Sequence, residues 1–389
     1  MPQDSLSSRR GPASRAITRD RIAIVGLGST EHEKLRIPDP FRSSVDLAVE
    51  ALTLALADAG LAAKELDGLM TMTVPYDAVA QRAGLELIPY VMQYEGGGRW
   101  IGGALNHAAQ AIATGAATTI ALVIAFNNRS VDTQWDMTGS ASGSEAYEAM
   151  FGLAGLGSHH AMMFGRHQHE FATPREVLGH VAVSNRANAV RNPHAIFRKP
   201  LTLEEYGASR MIADPLRLLD YCTNCDGAVA IILTDSSATK PEQRPVIVHD
   251  AAMSANVGPY YSMPDCYYAS SAQVAEQIFS GAIKQSDIDT VGIYDNFTTS
   301  AVFALEGYNF RPRGGAAEFI MNGEITFNGS LPMNTSGGHT SEVYLQGMNH
   351  IAEIVVQLRG EAGDRQLPNI ETAAFMNSSN VSGGAVFRR

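Results

Sequence analysis

Leu331-Pro-Met-Asn334-Thr-Ser-Gly337-Gly338-His339-Thr-Ser-Glu-Val-Tyr344-Leu-Gln-Gly347 is the stretch on which the reading of this chain turns. The paired glycines are too free in backbone to continue a helix, whereas Gln346 to Arg359 has helical spacing, so backbone N–H groups gather where that helix begins. A turn of this kind can hold an oxyanion.

Working outward, the pattern occurs twice. Gly337 to Arg359 followed by the strand-like Thr372 to Met376 matches the glycine-led Gly102 to Thr114 followed by Thr119 to Ala125. Ser43 to Asp58 has helical periodicity, with Ser43 and Ser44 as candidate caps, Asp46 in the first turn and Gly60 as the stop. It leads through Lys64-Glu-Leu-Asp67 into a strand ending near Met72, just as Ser270 to Ile278 leads through Ser286-Asp-Ile-Asp289 into the strand Thr290 to Tyr294. This duplication predicts an α/β protein of two similar halves, about 21–240 and 241–389, each a sheet with helices on both faces, joined in the polar stretch Asp235 to Arg244. Residues 1–20, rich in Ser, Arg and Pro, read as a disordered arm, and 127–217, with its Gly- and Ser-rich start, reads as a loop-rich cap.

The 389 residues exceed one ordinary core. A net charge of −11 and a pI near 5.5 leave no basic face for nucleic acid. The longest uninterrupted apolar run, Ile120 to Phe126, is far short of a bilayer span, so a soluble cytoplasmic protein is expected. Three cysteines make no disulfide framework, and the lone Cys222-Thr-Asn-Cys225 within the strand-like Leu218 to Leu233 fits small buried side chains better than a zinc or redox pair. Gly26-x-Gly28 closes a β run, but Glu31 stands where a third glycine would receive a pyrophosphate, which excludes a dinucleotide site. His159, His160, His167 and His169 have no ligand spacing with a carboxylate and read as packed or solvated.

Asn334-x-Ser-Gly-Gly followed by Gln-Leu-Arg-Gly-Glu-Ala-Gly at 357–363 resembles the C-terminal signature of the thiolase superfamily, and most closely its sterol-carrier and lipid-transfer branch. The resemblance implies a five-layer α-β-α-β-α sandwich with the active site between the halves. It also shows what has been lost. Where the family has Gly-His-Pro this chain reads Val343-Tyr344-Leu345, and where a strand ends in a histidine it reads Ile293-Tyr294-Asp295-Asn296-Phe297. The family's nucleophilic cysteine would fall at or near Gly98 in Tyr94-Glu-Gly-Gly-Gly98, and no cysteine precedes Cys222. Near the terminus the family's last catalytic element becomes Asn377-Ser378-Ser379-Asn380. Without a thiolate there is no acyl-enzyme.

That pattern is similar to the lipid-transfer-protein type aldolases of steroid side-chain degradation, which cleave β-hydroxyacyl-CoA esters by a retro-aldol step. The resemblance implies Tyr294 and Tyr344 as the base and acid in either order, with Asp295 orienting Tyr294. An oxyanion site would be formed by Gly97, Gly98, Gly337, Gly338, Asn334 and His339, with His107 as a further substrate contact. It implies no cofactor or metal of the chain's own, since CoA is part of the substrate. A homodimer is implied too, joined by an OB-fold and zinc-ribbon partner that carries any zinc, in a heterotetramer. The rival readings are a non-catalytic thiolase-like scaffold that binds acyl-CoA or lipid for a partner, and an acyltransferase whose nucleophile is absent.

Overall fold

The computed structural model describes residues 16–31, 42–128, 150–153, 155–257, 265 and 268–389. The first half runs β1 (Ile22–Ser29), α1 (Ser44–Ala59), β2 (Gly68–Met72), α2 (Tyr76–Arg82), β3 (Tyr90–Tyr94), α3 (Ile101–Ala113) and β4 (Thr119–Asn127). A helical insertion follows, with α4 (Gly155–Phe171), α5 (Glu176–Val190), α6 (Leu203–Ala208) and the small ribbon β5 (Met211–Ala213) and β6 (Leu216–Arg217), before β7 (Asp226–Asp235). The second half comprises β8 (Val246–Ala255), α7 (Ala269–Ile278), β9 (Thr290–Ile293), α8 (Thr299–Gly307), α9 (Ala316–Met321), α10 (Gly338–Ser341), α11 (Met348–Arg359), β10 (Thr372–Met376) and β11 (Val381–Arg388).

The sheet order, β3-β2-β4-β7-β1-β8-β11-β10-β9, is nearly a palindrome. Antiparallel β1/β7 and β7/β4 with parallel β4/β2 are mirrored by β8/β11, β11/β10 and β10/β9. Strand β3, parallel to β2, has only a vestige opposite it, a single parallel bridge from Val291 to Met333. The two sheets are not separate: Ile22, Ala23 and Ile24 of β1 pair with Val248, Ile247 and Val246 of β8 and join them edge to edge.

Side-chain alternation along each strand makes the layers. On β4, Ala121, Val123 and Ala125 face α1, while Ile120, Leu122 and Ile124 face an inner core shared with α3 and α11. On β10, Ala373 and Phe375 face that inner core, and Ala374 and Met376 face α7 and α8. Five layers result, with α3 and α11 in the middle. Glycine sets the tight contacts: a Cβ on Gly28 would lie 2.1 Å from the Ala51 carbonyl oxygen of α1, and one on Gly102 of α3 would lie 2.3 Å from the Ala252 oxygen of β8. Gly26 and Gly28 are therefore packing glycines.

Local signals hold in detail. Ser43 caps α1 in a capping box with Asp46, and Gly60 ends it at φ 67°. Asp67 accepts the N–H groups of Thr118 and Thr119 at the start of β4, and Asp289 accepts those of Glu371 and Thr372 at the start of β10, so the repeated aspartate secures the same strand in each half.

Three expectations differ. The described part of the cap, from 150 onward, carries three helices, α4, α5 and α6, where a loop-rich segment is expected, and α4 starts within the Gly- and Ser-rich stretch at Gly155. The helix expected from Gln346 begins at Met348, because Gln346 (φ 48°) and Gly347 (φ 92°) are both left-handed and break it from α10. The strand expected from Leu218 begins at Asp226, after an extended connector that carries Cys222 and Cys225. Of the expected N-terminal arm, 1–15 lie outside the described residues, while Arg19 pairs with buried Asp250 at 2.9 Å and Asp20 with His249 and Arg388.

Candidate active site

Tyr294 is the residue that follows β9, and Tyr344 sits in the break between α10 and α11, fifty residues later. Their hydroxyls meet at 2.8 Å, with the rings edge to face. Tyr294 is buried and Tyr344 half-buried. Burial raises the pKa of both phenols above the ordinary tyrosine value, and for Tyr344 repulsion by an ionised Tyr294 adds to the rise. Both are therefore neutral near pH 7.

From the N-terminal half, the turn before α3 reaches this pair with backbone. Gly98, where the resemblance places the family's cysteine, lies in the turn between β3 and α3. A Cβ there would fall 2.1 Å from Tyr294 Cε2 and 1.9 Å from the Gln346 carbonyl oxygen. A cysteine at 98 and this phenol cannot occupy the same space. The Gly98 N–H donates to Gln346 Oε1 at 3.0 Å, and the Gln346 side chain covers Gly97, whose Cβ would lie 1.3 Å from that oxygen.

The glycine-rich turn of the C-terminal half does hold a carboxyl group, but one of the protein's own. The His339 N–H donates to Asp295 Oδ1 at 2.9 Å, Asn185 Nδ2 donates to Asp295 Oδ2 at 2.7 Å, and His350 Nε2 is 3.1 Å from Oδ1. A Cβ on Gly338 would lie 2.5 Å from Asp295 Oδ2, and the Gly337 N–H donates to the Asn334 carbonyl. Asp295 is fully buried, and its oxygens accept from the His339 N–H and Asn185 Nδ2 instead of orienting the Tyr294 hydroxyl. The reason is strand alternation: Asp295 points to the opposite side of the strand end from Tyr294.

Asn334 also has its amide committed to backbone. It accepts the Ile293 N–H at 2.7 Å and donates to the Ile293 oxygen at 3.1 Å, replacing the neighbour strand that β9 lacks. His339 is fully buried, and burial with His350 alongside depresses its pKa well below the usual imidazole value. Its Nε2 accepts the Gly347 N–H at 2.9 Å, and its ring lies edge-on beneath both phenols at 4.7 and 4.9 Å, so it supports the Tyr344 segment from below. His107 is held by the Tyr94 hydroxyl at 2.8 Å.

Asp295, His339 and His350 bring three potential ligand atoms within 4.8 Å of one another. Asp295 Oδ1 receives the His339 N–H, while His339 Nδ1 and His350 Nε2, 3.5 and 3.1 Å from it, are buried without a hydrogen-bond partner among the described residues. In the cap, His160 packs on Phe297 and bonds Thr299, and His167 pairs with Glu306 at 2.9 Å. Those two histidines tie α4 to α8.

Several contributors were not anticipated. Asn185, Asn188 and Asn192 form a stripe on one face of α5 and its C-terminal end, and they bond Asp295, the Met333 and Asn334 carbonyls, and Ser336 with Glu342. Their i, i+3, i+7 spacing was the available signal. Cys225 Sγ lies 3.3 Å from the Tyr344 backbone carbonyl oxygen, and the Cys222 N–H donates to the Asn296 backbone carbonyl, so the lone Cys-x-x-Cys connector runs past both tyrosine segments. A polar cleft of about 590 Å³ is lined by Glu342, Asn349, Arg191 and Arg365 but by neither tyrosine.

A family profile described as Thiolase C-terminal domain-like matches residues 254–386. The chain is 37% identical over 360 residues to the 17-hydroxy-3-oxo-4-pregnene-20-carboxyl-CoA lyase of Mycobacterium tuberculosis, covering 87% of this chain and 92% of that protein. It is 35% identical over 359 residues to the steroid side-chain-cleaving aldolase of Thermomonospora curvata, covering 87% and 90%. Among solved structures, the Ltp2-ChsH2(DUF35) aldolase superposes with a TM-score of 0.86 at 31% identity over 96% of this chain and 98% of that one.

Proposed function

The chain belongs to the thiolase superfamily, together with its steroid side-chain-cleaving aldolases, and on that premise we propose that it splits a β-hydroxyacyl-CoA by a retro-aldol step. The substrate is a CoA thioester of a steroid side chain, and the products are a ketone and a short acyl-CoA such as propionyl-CoA. The observation that carries this reading is the 2.8 Å contact between the Tyr294 and Tyr344 hydroxyls.

A retro-aldol must take the proton from the β-hydroxyl, break the Cα–Cβ bond and deliver a proton to Cα. Even a phenol of ordinary pKa costs about 4 kcal/mol to ionise at pH 7, and burial raises that cost here. A standing phenolate is therefore a poor base in this site. A neutral pair linked by a hydrogen bond avoids it. The substrate proton enters one phenol as that phenol's proton passes to the other, whose own proton goes to Cα; no net charge is left on the protein. Asp295 and His339 act as positioning residues, since they hold the segments that carry the two rings.

Each of Tyr294→Phe and Tyr344→Phe should lower the cleavage rate about 10²-fold or more with unchanged melting, and the double variant should lose little beyond either single one. The wild-type rate should be flat from about pH 6 to 9, whereas a phenolate base would gain about tenfold per pH unit. Two single variants that retain wild-type cleavage of a β-hydroxyacyl-CoA would overturn the assignment.

The solved relative is named for two proteins, one of them a DUF35 protein. That name supports a comparable partner here, and we extend it to a dimer of this chain with two OB-fold and zinc-ribbon partners that carry any zinc. Among the described residues no helix is long and apolar enough to cross a membrane.

A further inference from the structure

Retro-aldol cleavage throws negative charge onto the thioester oxygen, and a site that accelerates it must hold a donor there. The donors expected for that task are largely committed: Gly337 N–H to Asn334, His339 N–H to Asp295, and Gly98 N–H to Gln346. The last of these points to what takes their place.

Gln346 adopts φ 48°, a left-handed conformation uncommon for a side chain with a Cβ. It is held there from both sides, by buried Leu345 before it and by Gly347, whose N–H is fixed on His339 Nε2 at 2.9 Å. The constraint turns its carboxamide onto Gly97 and Gly98; the missing Cβ at Gly97 makes room for the carboxamide, and the missing Cβ at Gly98 for the Gln346 backbone carbonyl and the Tyr294 ring. Because Gly98 N–H is a donor, the atom it meets at 3.0 Å must be the amide oxygen. Nε2 therefore carries its two N–H groups away from Gly98, and among the described residues it has no hydrogen-bond partner. The residue is half-buried, two positions from Tyr344, and packed with Gly98 against the Tyr294 ring.

Resting on the retro-aldol reading, we propose that Gln346 is a further catalytic residue, its carboxamide anchored through Oε1 on the Gly98 N–H so that Nε2–H donates to the thioester oxygen as it becomes an enolate. In the balanced step the β-hydroxyl proton enters the phenol pair, and the oxygen's electrons form the ketone C=O. The Cα–Cβ electron pair passes into the enolate, whose oxygen is held by Nε2–H, and the phenol pair returns a proton to Cα. The Gly98 N–H polarises the amide and strengthens its donor end.

The test separates enolate stabilisation from bond cleavage. Exchange of the α-protons of propionyl-CoA in D₂O needs the enolate but breaks no carbon–carbon bond. Gln346→Met should slow both this exchange and cleavage of a β-hydroxyacyl-CoA about 10²-fold, with little change in KM. Gln346→Glu keeps an oxygen for Gly98 and loses the N–H₂. It should be inactive near neutral pH and recover as pH falls and its carboxyl gains a proton to donate, while the wild type stays flat. Exchange by Gln346→Met within threefold of wild type, or a Gln346→Glu profile parallel to wild type, would overturn the proposal. Failure of the tyrosine reading is distinct, because it shows as full activity in Tyr294→Phe and Tyr344→Phe.

Discussion

The two halves of the molecule share an architecture and divide the chemistry unequally. Each has the run helix, short turn, aspartate, strand, glycine-rich turn, inner helix and strand, and each secures its inner strand with the same aspartate. Yet every side chain assigned to proton handling or charge stabilisation lies in the C-terminal half, and the N-terminal half meets the phenols' segments with the Gly97 and Gly98 backbone and the Cys222 to Cys225 connector. The reason is spatial. Tyr294 occupies the volume that a side chain at 98 would need, so this phenol and a nucleophile at that turn exclude each other. A pseudo-symmetric fold permits this because each half keeps its own outer core and the inner one is common to both.

The largest effect that can break this comparison comes from Gly98. Gly98→Ala should abolish cleavage by 10²-fold or more, since its Cβ would meet a ring atom at 2.1 Å and a backbone oxygen at 1.9 Å, neither of which can swing aside. Gly98→Cys should fail equally and should gain no thiolysis. Gly97→Ala would place its Cβ 1.3 Å from Gln346 Oε1 and 2.7 Å from Gln346 Cβ, so it should displace the carboxamide and cost about as much as Gln346→Met. Steady-state kinetics with circular dichroism to confirm folding checks all three. Wild-type cleavage by Gly97→Ala would mean that the Gln346 carboxamide need not lie on this turn.

Part of this division can be read directly from the residues. Helical and strand periodicity, Ser43 with Gly60, and the repeated aspartates are local signals, and the duplicated order of elements follows from them. The two tyrosines stand out because each replaces a histidine in a motif. What no local pattern carries is the direction in which a polar group points. Asp295 is adjacent in sequence to Tyr294 and serves the other side of the strand end. Asn334, in a glycine-rich turn, spends its amide on the edge of β9, because the strand that would pair there is missing. The asparagine stripe of α5 has visible spacing, but its target, a turn about 110 to 150 residues away, exists only after folding.

That stripe gives an intermediate test, this time of the C-terminal half. Asp295→Asn replaces one carboxylate oxygen with a donor group beside the His339 N–H or Asn185 Nδ2 and should cost about 1.5–3 kcal/mol of stability. Asn185→Ala removes one of the same bonds and should cost about 1 kcal/mol. Both should lower kcat, because the turn that leads to Tyr344 loses its anchor. Chemical denaturation with kinetics at a temperature where both variants are folded would measure the two effects. A kcat that is unaffected in both would detach the buried support from the phenol pair.

The smallest effect sharpens the comparison from the opposite direction, by changing what the halves have in common. Asp67 gathers the Thr118 and Thr119 N–H groups and the Thr118 hydroxyl; Asp289 gathers the Glu371 and Thr372 N–H groups and the Thr372 hydroxyl. The two bond sets are alike, and both lie at the beginning of an inner strand, the end remote from the phenols. Asp67→Ala and Asp289→Ala should therefore each cost about 1 kcal/mol for the exposed bonds lost, shift the denaturation midpoint by similar amounts, and leave kcat/KM within about twofold. An aspartate that perturbed catalysis in the C-terminal half alone would show that strand β10 transmits to the site what β4 does not, and that the halves differ in mechanics as well as chemistry.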